Sequence, residues 1–251
     1  MDLKKIKEKL ANLESKSSQR NMLWKPKPGQ SVIRIVPYMH DRDMPFRELF
    51  FYYDLAKRTI ISPVTFGEPD PVFEFAQKLK QTGEKEDYKL AKKLEPKSRT
   101  YVPIIVRGEE SEGVKFFGFG SKLYTEFLKT INDPDYGDIS DPVQGRDVTI
   151  EFTPAPNAQS FPETTIRVKP NITPVTTDKA VMESFKDMPV IESMWEKPTY
   201  EELQTYLDNF INNADSDSAA AEENAELESV ATESLSEDVS DAFDKMFGGK
   251  G

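Results

Sequence analysis

The 251-residue chain has no cysteine and one histidine, His40. The first absence excludes a disulfide framework and any thiolate metal site. The second leaves a single imidazole for a nucleophile–base–acid arrangement, and it stands in the polar turn His40-Asp41-Arg42-Asp43. A histidine in such a turn is ordinarily a solvated residue. No apolar run approaches the roughly 18 residues of a membrane span, and no apolar segment of a secretory signal follows the Lys-rich start. There is no internal repeat. The expectation is a soluble, intracellular protein with no membrane partner.

Charge is present in quantity and very unevenly placed. The formal net charge is −11, made up of +5 over residues 1–27, −7 over the body and −9 over residues 215–251. A basic arm, a mildly acidic body and a strongly acidic tail point to nucleic acid as a partner, or to self-masking. In the arm, Leu3, Ile6, Leu10 and Leu13 fall at helical spacing among lysines, which predicts a short basic amphipathic helix. Pro26, Pro28 and Gly29 close it.

The body, residues 28–214, alternates strand and helix signals. Val32–Val36 is β-branched around a lone Arg34, and Phe46–Tyr53, Arg58–Ile61, Tyr101–Val106 and Val114–Phe119 are further strand candidates. Pro103 suggests that its strand lies at an edge or a bulge. Val72–Lys80 and Lys85–Leu94 read as helices separated by Gly83, and Ser121 can cap a helix to about Ile131. Val148, Ile150 and Phe152 alternate with polar residues, as does Thr164–Val168, giving two more strands. Thr199 and Glu202 have capping-box spacing at the start of the last ordered element, Thr199–Phe210. Beyond Ala214 the composition is too acidic and too poor in aromatics to offset chain entropy, so residues 215–251 are expected to be disordered. The fold class read from this is α+β, an oligonucleotide-binding (OB-fold-like) small β-barrel with helical insertions, with a generic α+β sandwich fitting almost as well.

Catalysis has little to work with. Asp70, Glu74 and Lys78 raise a metal-dependent nuclease, but Asp70 sits in a turn before Pro71 while the other two fall on the following helix. Binding has more support. Residues 78–107 carry a local +5, with Lys92, Lys93, Lys97 and Arg99 interleaved with Tyr88 and Tyr101, and Phe116, Phe117 and Phe119 follow. Cations that track phosphates and aromatic faces on which bases stack are what a sequence-tolerant single-strand site requires. The bland alternative is a solvated Lys-rich helix beside core phenylalanines. Arg34, a cation within an apolar strand, needs a partner, either a phosphate or an internal carboxylate. In the tail, Leu235, Val239, Phe243 and Phe247 recur every four residues, as a short helix that folds on a partner would. A tail-based scaffold whose body binds no DNA is the third reading.

Three segments bring a family into view: Gly29-Gln30-Ser31-Val32-Ile33-Arg34-Ile35-Val36-Pro37, the Tyr88–Arg107 stretch, and Glu112-Gly113-Val114-Lys115-Phe116-Phe117-Gly118-Phe119-Gly120. With the plan of arm, body and tail, they make the chain resemble the single-stranded-DNA-binding, helix-destabilising proteins of T-even-type bacteriophages. The resemblance implies a non-enzymatic OB-fold protein of phage DNA replication, recombination and repair, acting in the cytoplasm of an infected bacterium. It places DNA contacts at Arg34, Tyr88, Lys93, Arg99, Tyr101 and Phe117, to which the local charge pattern adds Lys92 and Lys97. It assigns cooperative self-association along DNA to the arm, with Lys4, Lys5 and Lys7 or Lys16-Ser17-Ser18 as the nearest equivalents of the family's basic cluster. It gives the acidic tail the recruitment of replication and recombination proteins and the restraint of duplex melting, and the apolar repeat at Leu235, Val239, Phe243 and Phe247 read from spacing supplies the docking residues. The best-known member of the family also holds a structural zinc with one His and three Cys in the region matching about Ser62–Phe73. Here Phe66 stands at the His position and Asp70 and Phe73 at the spacing of a Cys pair, so no cofactor is expected. Phe66 and Phe73 are expected to pack an apolar cluster in its place.

Overall fold

A computed structural model describes residues 4, 5, 7, 21–56, 58–157 and 160–224. The chain divides into two compact units, Met1–Leu49 with Ser98–Met194, and Phe50–Lys97 with Trp195–Gly251. The strands are β1 (Leu23–Trp24), β2 (Gly29–Ile35), β3 (Arg47–Tyr52), β4 (Ile60–Ile61), β5 (Lys97–Val106), β6 (Lys115–Phe119), β7 (Arg146–Thr153) and β8 (Glu163–Ile172). The helices are α1 (Pro71–Thr82), α2 (Lys85–Leu94), α3 (Ser121–Ile131), α4 (Lys179–Ser184) and α5 (Tyr200–Asn224). No helix among the described residues is long and apolar enough to cross a membrane.

The first unit is built on a sheet ordered β1-β6-β5-β2-β7-β8, in which β1 runs parallel to β6 and the remaining neighbours are antiparallel. Its core joins Ile33 and Ile35 of β2, Val102 and Ile104 of β5, Phe117 and Phe119 of β6 and Val148 and Ile150 of β7. Helix α3 adds Leu123 and Phe127, which lie four residues apart on one face. Phe127 is fully buried against Phe119, with ring centroids 5.1 Å apart. Burial of a side chain that size contributes about 1.5–3 kcal/mol. The α+β class is therefore as the sequence indicates. The ladder ends at β1 and β8 and closes no barrel among the described residues.

Two local expectations are corrected. Pro103 is not on an edge strand, because β5 lies between β6 and β2. Its missing N–H falls opposite Val36, just past the end of β2, where Val36 donates to the Pro103 carbonyl and nothing need be returned. Ser121 is not the cap of α3; Gly120 is, and no side chain caps it.

The second unit pairs the end of β3 with β4, Phe51 opposite Ile61 and Tyr52 opposite Ile60, and adds three helices. Helix α1 buries Val72, Phe75, Ala76 and Leu79, spaced as one helical face. Gly83, at φ 81°, ends it in a left-handed conformation that suits glycine, and α2 restarts two residues later. Helix α5 buries Leu203, Leu207 and Ile211 in the same cluster. Its capping box forms in both directions: Thr199 N–H donates to the Glu202 carboxylate at 2.9 Å and Glu202 N–H donates to Thr199 Oγ1 at 3.2 Å. The helix runs on to Asn224, past the boundary at 214 read from composition. Leu235, Val239, Phe243 and Phe247 lie outside the described residues, as do Lys16, Ser17 and Ser18. Lys4, Lys5 and Lys7 are helical and exposed.

Candidate nucleic-acid interface

A cleft of about 750 Å³ opens in the first unit, and its lining includes Trp24, Lys25, Arg99, Phe117, Lys122 and Phe161. Sheet order makes it. Pairing β1 with β6 sets Trp24 opposite Phe117, and their rings meet edge to face at 5.1 Å. Pairing β6 with β5 brings in Arg99, which lies just before Thr100, the partner of Phe119. Among the described residues the Arg99 guanidinium donates one hydrogen bond, 2.7 Å to the Gly118 carbonyl, which fixes it at the cleft with further N–H groups directed elsewhere. Lys122 comes from the first turn of α3, where helix amides and its own ammonium both favour an anion. Lys25 and Lys122 are exposed.

Phe161 closes the cleft from the connection between β7 and β8, and it is 90 % exposed. A phenyl ring left in water beside three cations is poorly explained by packing, since aromatics of this size normally bury 150 Å² or more. It is well explained as a platform for a base, a contact worth about 1–3 kcal/mol. Glu163 is the one carboxylate in the lining among the described residues.

The second unit presents a separate basic surface. Tyr88, about half exposed on α2, lies beneath the ammonium groups of Lys92 at 4.9 Å and Lys80 at 5.9 Å from the ring centroid. Lys93 and Lys97 are exposed beside them, with Lys97 donating to the Lys92 carbonyl at 2.6 Å. Part of the positive charge counted along the sequence is already neutralised: Lys80 pairs with Glu95, and Lys89 with Glu86 at 2.6 Å.

Two of the expected contact residues are corrected. Arg34 is fully buried and takes the internal carboxylate, with Nη1 3.7 Å from Asp147, a bond from Nη2 to the Asp141 carbonyl at 2.8 Å and one from Nη1 to Thr173 Oγ1 at 3.3 Å. Burial lowers its pKa from the ordinary arginine value and Asp147 opposes that shift. Arg107 shares Asp147 at 2.8 Å, so the pair of arginines is a structural network and not a phosphate site. Tyr101 is 7 % exposed, its ring lying across Gly118, where an added Cβ would come within 2.4 Å of it. Neither presents a free face to a strand. Phe117 is itself 2 % exposed and meets the cleft as part of its wall.

Trp24, Lys25, Lys122 and Phe161 went unmarked in the sequence. The available signal for Phe161 was its place between Ser160 and Pro162, outside the strand alternation, where a phenylalanine cannot be dismissed as core. The carboxylates that raised nuclease chemistry do not converge on a metal. Asp70 is buried as the cap of α1, Glu74 accepts a hydrogen bond from Tyr200 at 3.3 Å, and no cluster of three or more His, Cys, Asp or Glu among the described residues is arranged to hold an ion. His40 is exposed and bonds the Met188 carbonyl at 2.8 Å.

Comparison with curated proteins returned no match. A family model described as "gp32 DNA binding protein like" matches residues 27–211, a span that holds Arg99, Phe117, Lys122 and Phe161 of the cleft and the Tyr88 surface, while Trp24 and Lys25 lie just before it. With most of its length covered, the chain belongs to the gp32-like family of single-stranded-DNA-binding proteins.

Proposed function

We propose that the cleft of the first unit holds a single DNA strand without regard to sequence, its bases stacked on Phe161 against the Trp24–Phe117 wall and its phosphates on Lys25, Arg99 and Lys122. The exposed Phe161 carries this reading. Stacking serves every base, and the lining offers few groups that could read base edges, which suits a sequence-tolerant site. Tyr88 with Lys92, Lys93 and Lys97 supplies a further contact of the same chemistry on the second unit. Around this core, the basic arm with Lys4, Lys5 and Lys7 mediates self-association along DNA, and the acidic tail recruits proteins of phage replication, recombination and repair in the host cytoplasm. The protein is a binder and not an enzyme.

Fluorescence titration with oligothymidine over a range of salt tests the reading. Log affinity should fall linearly with log salt as phosphate contacts displace counterions. F161A should bind about 5- to 150-fold more weakly, the loss of one stacked base. R99A should flatten the salt slope by about one unit. No binding by the intact protein at low salt would overturn strand binding, whereas strong binding unaffected by both substitutions would remove the cleft from it. Strands incubated with the protein and Mg²⁺ or Mn²⁺ should stay uncut; cleavage would restore the nuclease alternative.

A further inference from the structure

The second unit contains a buried polar knot that strand binding does not use. The Asp70 carboxylate, 2 % exposed, accepts through Oδ2 from the Tyr52 hydroxyl at 2.9 Å and the Ser62 hydroxyl at 2.5 Å. Through Oδ1 it accepts from the N–H groups of Val72 and Phe73 at 3.0 and 3.2 Å. Ser62 is fully buried, and its Oγ also accepts from Val64 N–H at 3.2 Å, capping the short 3-10 turn Pro63–Phe66. Its own N–H donates to the Phe50 carbonyl at 2.8 Å. One carboxylate therefore ties together β3, the turn after β4 and the N-terminus of α1. These pieces follow one another in the chain between Tyr52 and Phe73, and the carboxylate joins the start of the helix to the strand and turn that precede it.

This is the stretch in which the family resemblance implies a structural zinc, and the residues do not fit one. A closed zinc site takes four donors, mostly thiolate or imidazole. Here the groups that converge are a carboxylate and two hydroxyls, and both carboxylate oxygens are already saturated by four donors. Phe73, at the second position of the Cys-pair spacing, contributes its backbone N–H and not its side chain. The apolar cluster expected of Phe66 and Phe73 is not what fills the place: Phe66 is exposed, with the Lys197 ammonium 5.2 Å from its ring centroid.

We propose that the Tyr52–Ser62–Asp70 knot is the metal-free organiser of this unit, making with hydrogen bonds the cross-link that a bound ion would otherwise make. The assignment is chemically economical. A buried carboxylate is tolerable only when its lone pairs are filled, and this one is filled by donors from three separate elements. Burial and the neighbouring Asp70 raise the Tyr52 phenol above its ordinary range, so it stays protonated and remains a donor. The free amides at the N-terminus of α1 point at the Asp70 carboxylate and hold it in place. The knot also fixes where α1 begins, and so where Lys80 and, through the α1–α2 turn at Gly83, Tyr88 are presented. In this role Asp70 is a positioning residue, which touches no DNA itself.

The test is thermal melting of the full chain in the absence of DNA, so that its result is independent of the strand-binding reading. The protein as purified should contain no tightly held zinc, and its melting temperature should be the same after EDTA treatment and after addition of zinc. D70A removes the cap and strands two buried hydroxyls, and should melt on the order of 10 °C lower. If D70A does not accumulate as folded protein, Y52F is the informative variant: it keeps the ring and deletes one donor, and should melt about 2–4 °C lower. In the double variant Y52F/D70A the second change should add almost nothing, because the partners act as a unit. Stoichiometric zinc, a melt that EDTA lowers, a Y52F protein that melts with the parent, or a Y52F change that costs as much in D70A as in the parent would each overturn the proposal.

Discussion

Arg34 and Arg99 both stand in strands, and each entered the sequence reading as a cation for phosphate. What separates them is register. In the β2–β7 ladder Arg34 lies opposite Asp147, and in the interior an uncompensated guanidinium is so costly that the carboxylate partner is obligatory. That Arg34 needed a partner was legible; which partner it took depends on a pairing between strands more than a hundred residues apart, which no local pattern specifies. Removing it leaves Asp147 with Arg107 alone. R34A should therefore lower unfolding free energy by about 3–5 kcal/mol in urea titrations, while the fraction that remains folded binds oligothymidine as the parent does. A matching loss of affinity in fully folded R34A would return Arg34 to the strand site. Gly118 makes a similar point from the other side. Its lack of a side chain admits the Tyr101 ring, so G118A should cost about 1–3 kcal/mol through overpacking, read in the same titration.

At the scale of elements, the sequence was most informative where a short-range rule has a single physical outcome. Thr199 and Glu202 could satisfy each other's amides at only one spacing, and both bonds form. Gly83 marks the break between α1 and α2, because a left-handed residue ends a helix within one turn; Asp70, legible only as a turn residue before Pro71, is the cap of α1. The misreadings came where the outcome is set by neighbours in space. Pro103 sits in an interior strand because β2 happens to end opposite it, and Ser121 stands one residue too late to cap α3. The capping box can be tested apart from the DNA site: T199A should lower stability by about 0.5–2 kcal/mol in chemical denaturation, with oligothymidine affinity unchanged. A change in affinity with no change in stability would mean that the start of α5 takes part in binding.

For the molecule as a whole, the cleft shows why function was only half readable. Trp24, Arg99 and Phe117 are assembled by the order β1-β6-β5, and Phe161 joins them from the connection between β7 and β8. Charge distribution, by contrast, is a property of composition and was visible at once. It can now be tested with a sharper boundary than composition gave, because α5 continues to Asn224 and a cut at 214 would sever it. Ending the chain after Asn224 leaves the helix whole and removes residues 225–251, which carry a net −5. If those charges compete with DNA for Lys25, Arg99 and Lys122, the truncated protein should bind oligothymidine more tightly than the parent at low ionic strength. The gap should close as salt rises, because a Debye length of about 10 Å at 0.1 M screens a competitor held only by charge. Tightening that persists undiminished at high salt would point instead to a packed contact made by the tail, and weaker binding at low salt would remove the tail from competition altogether.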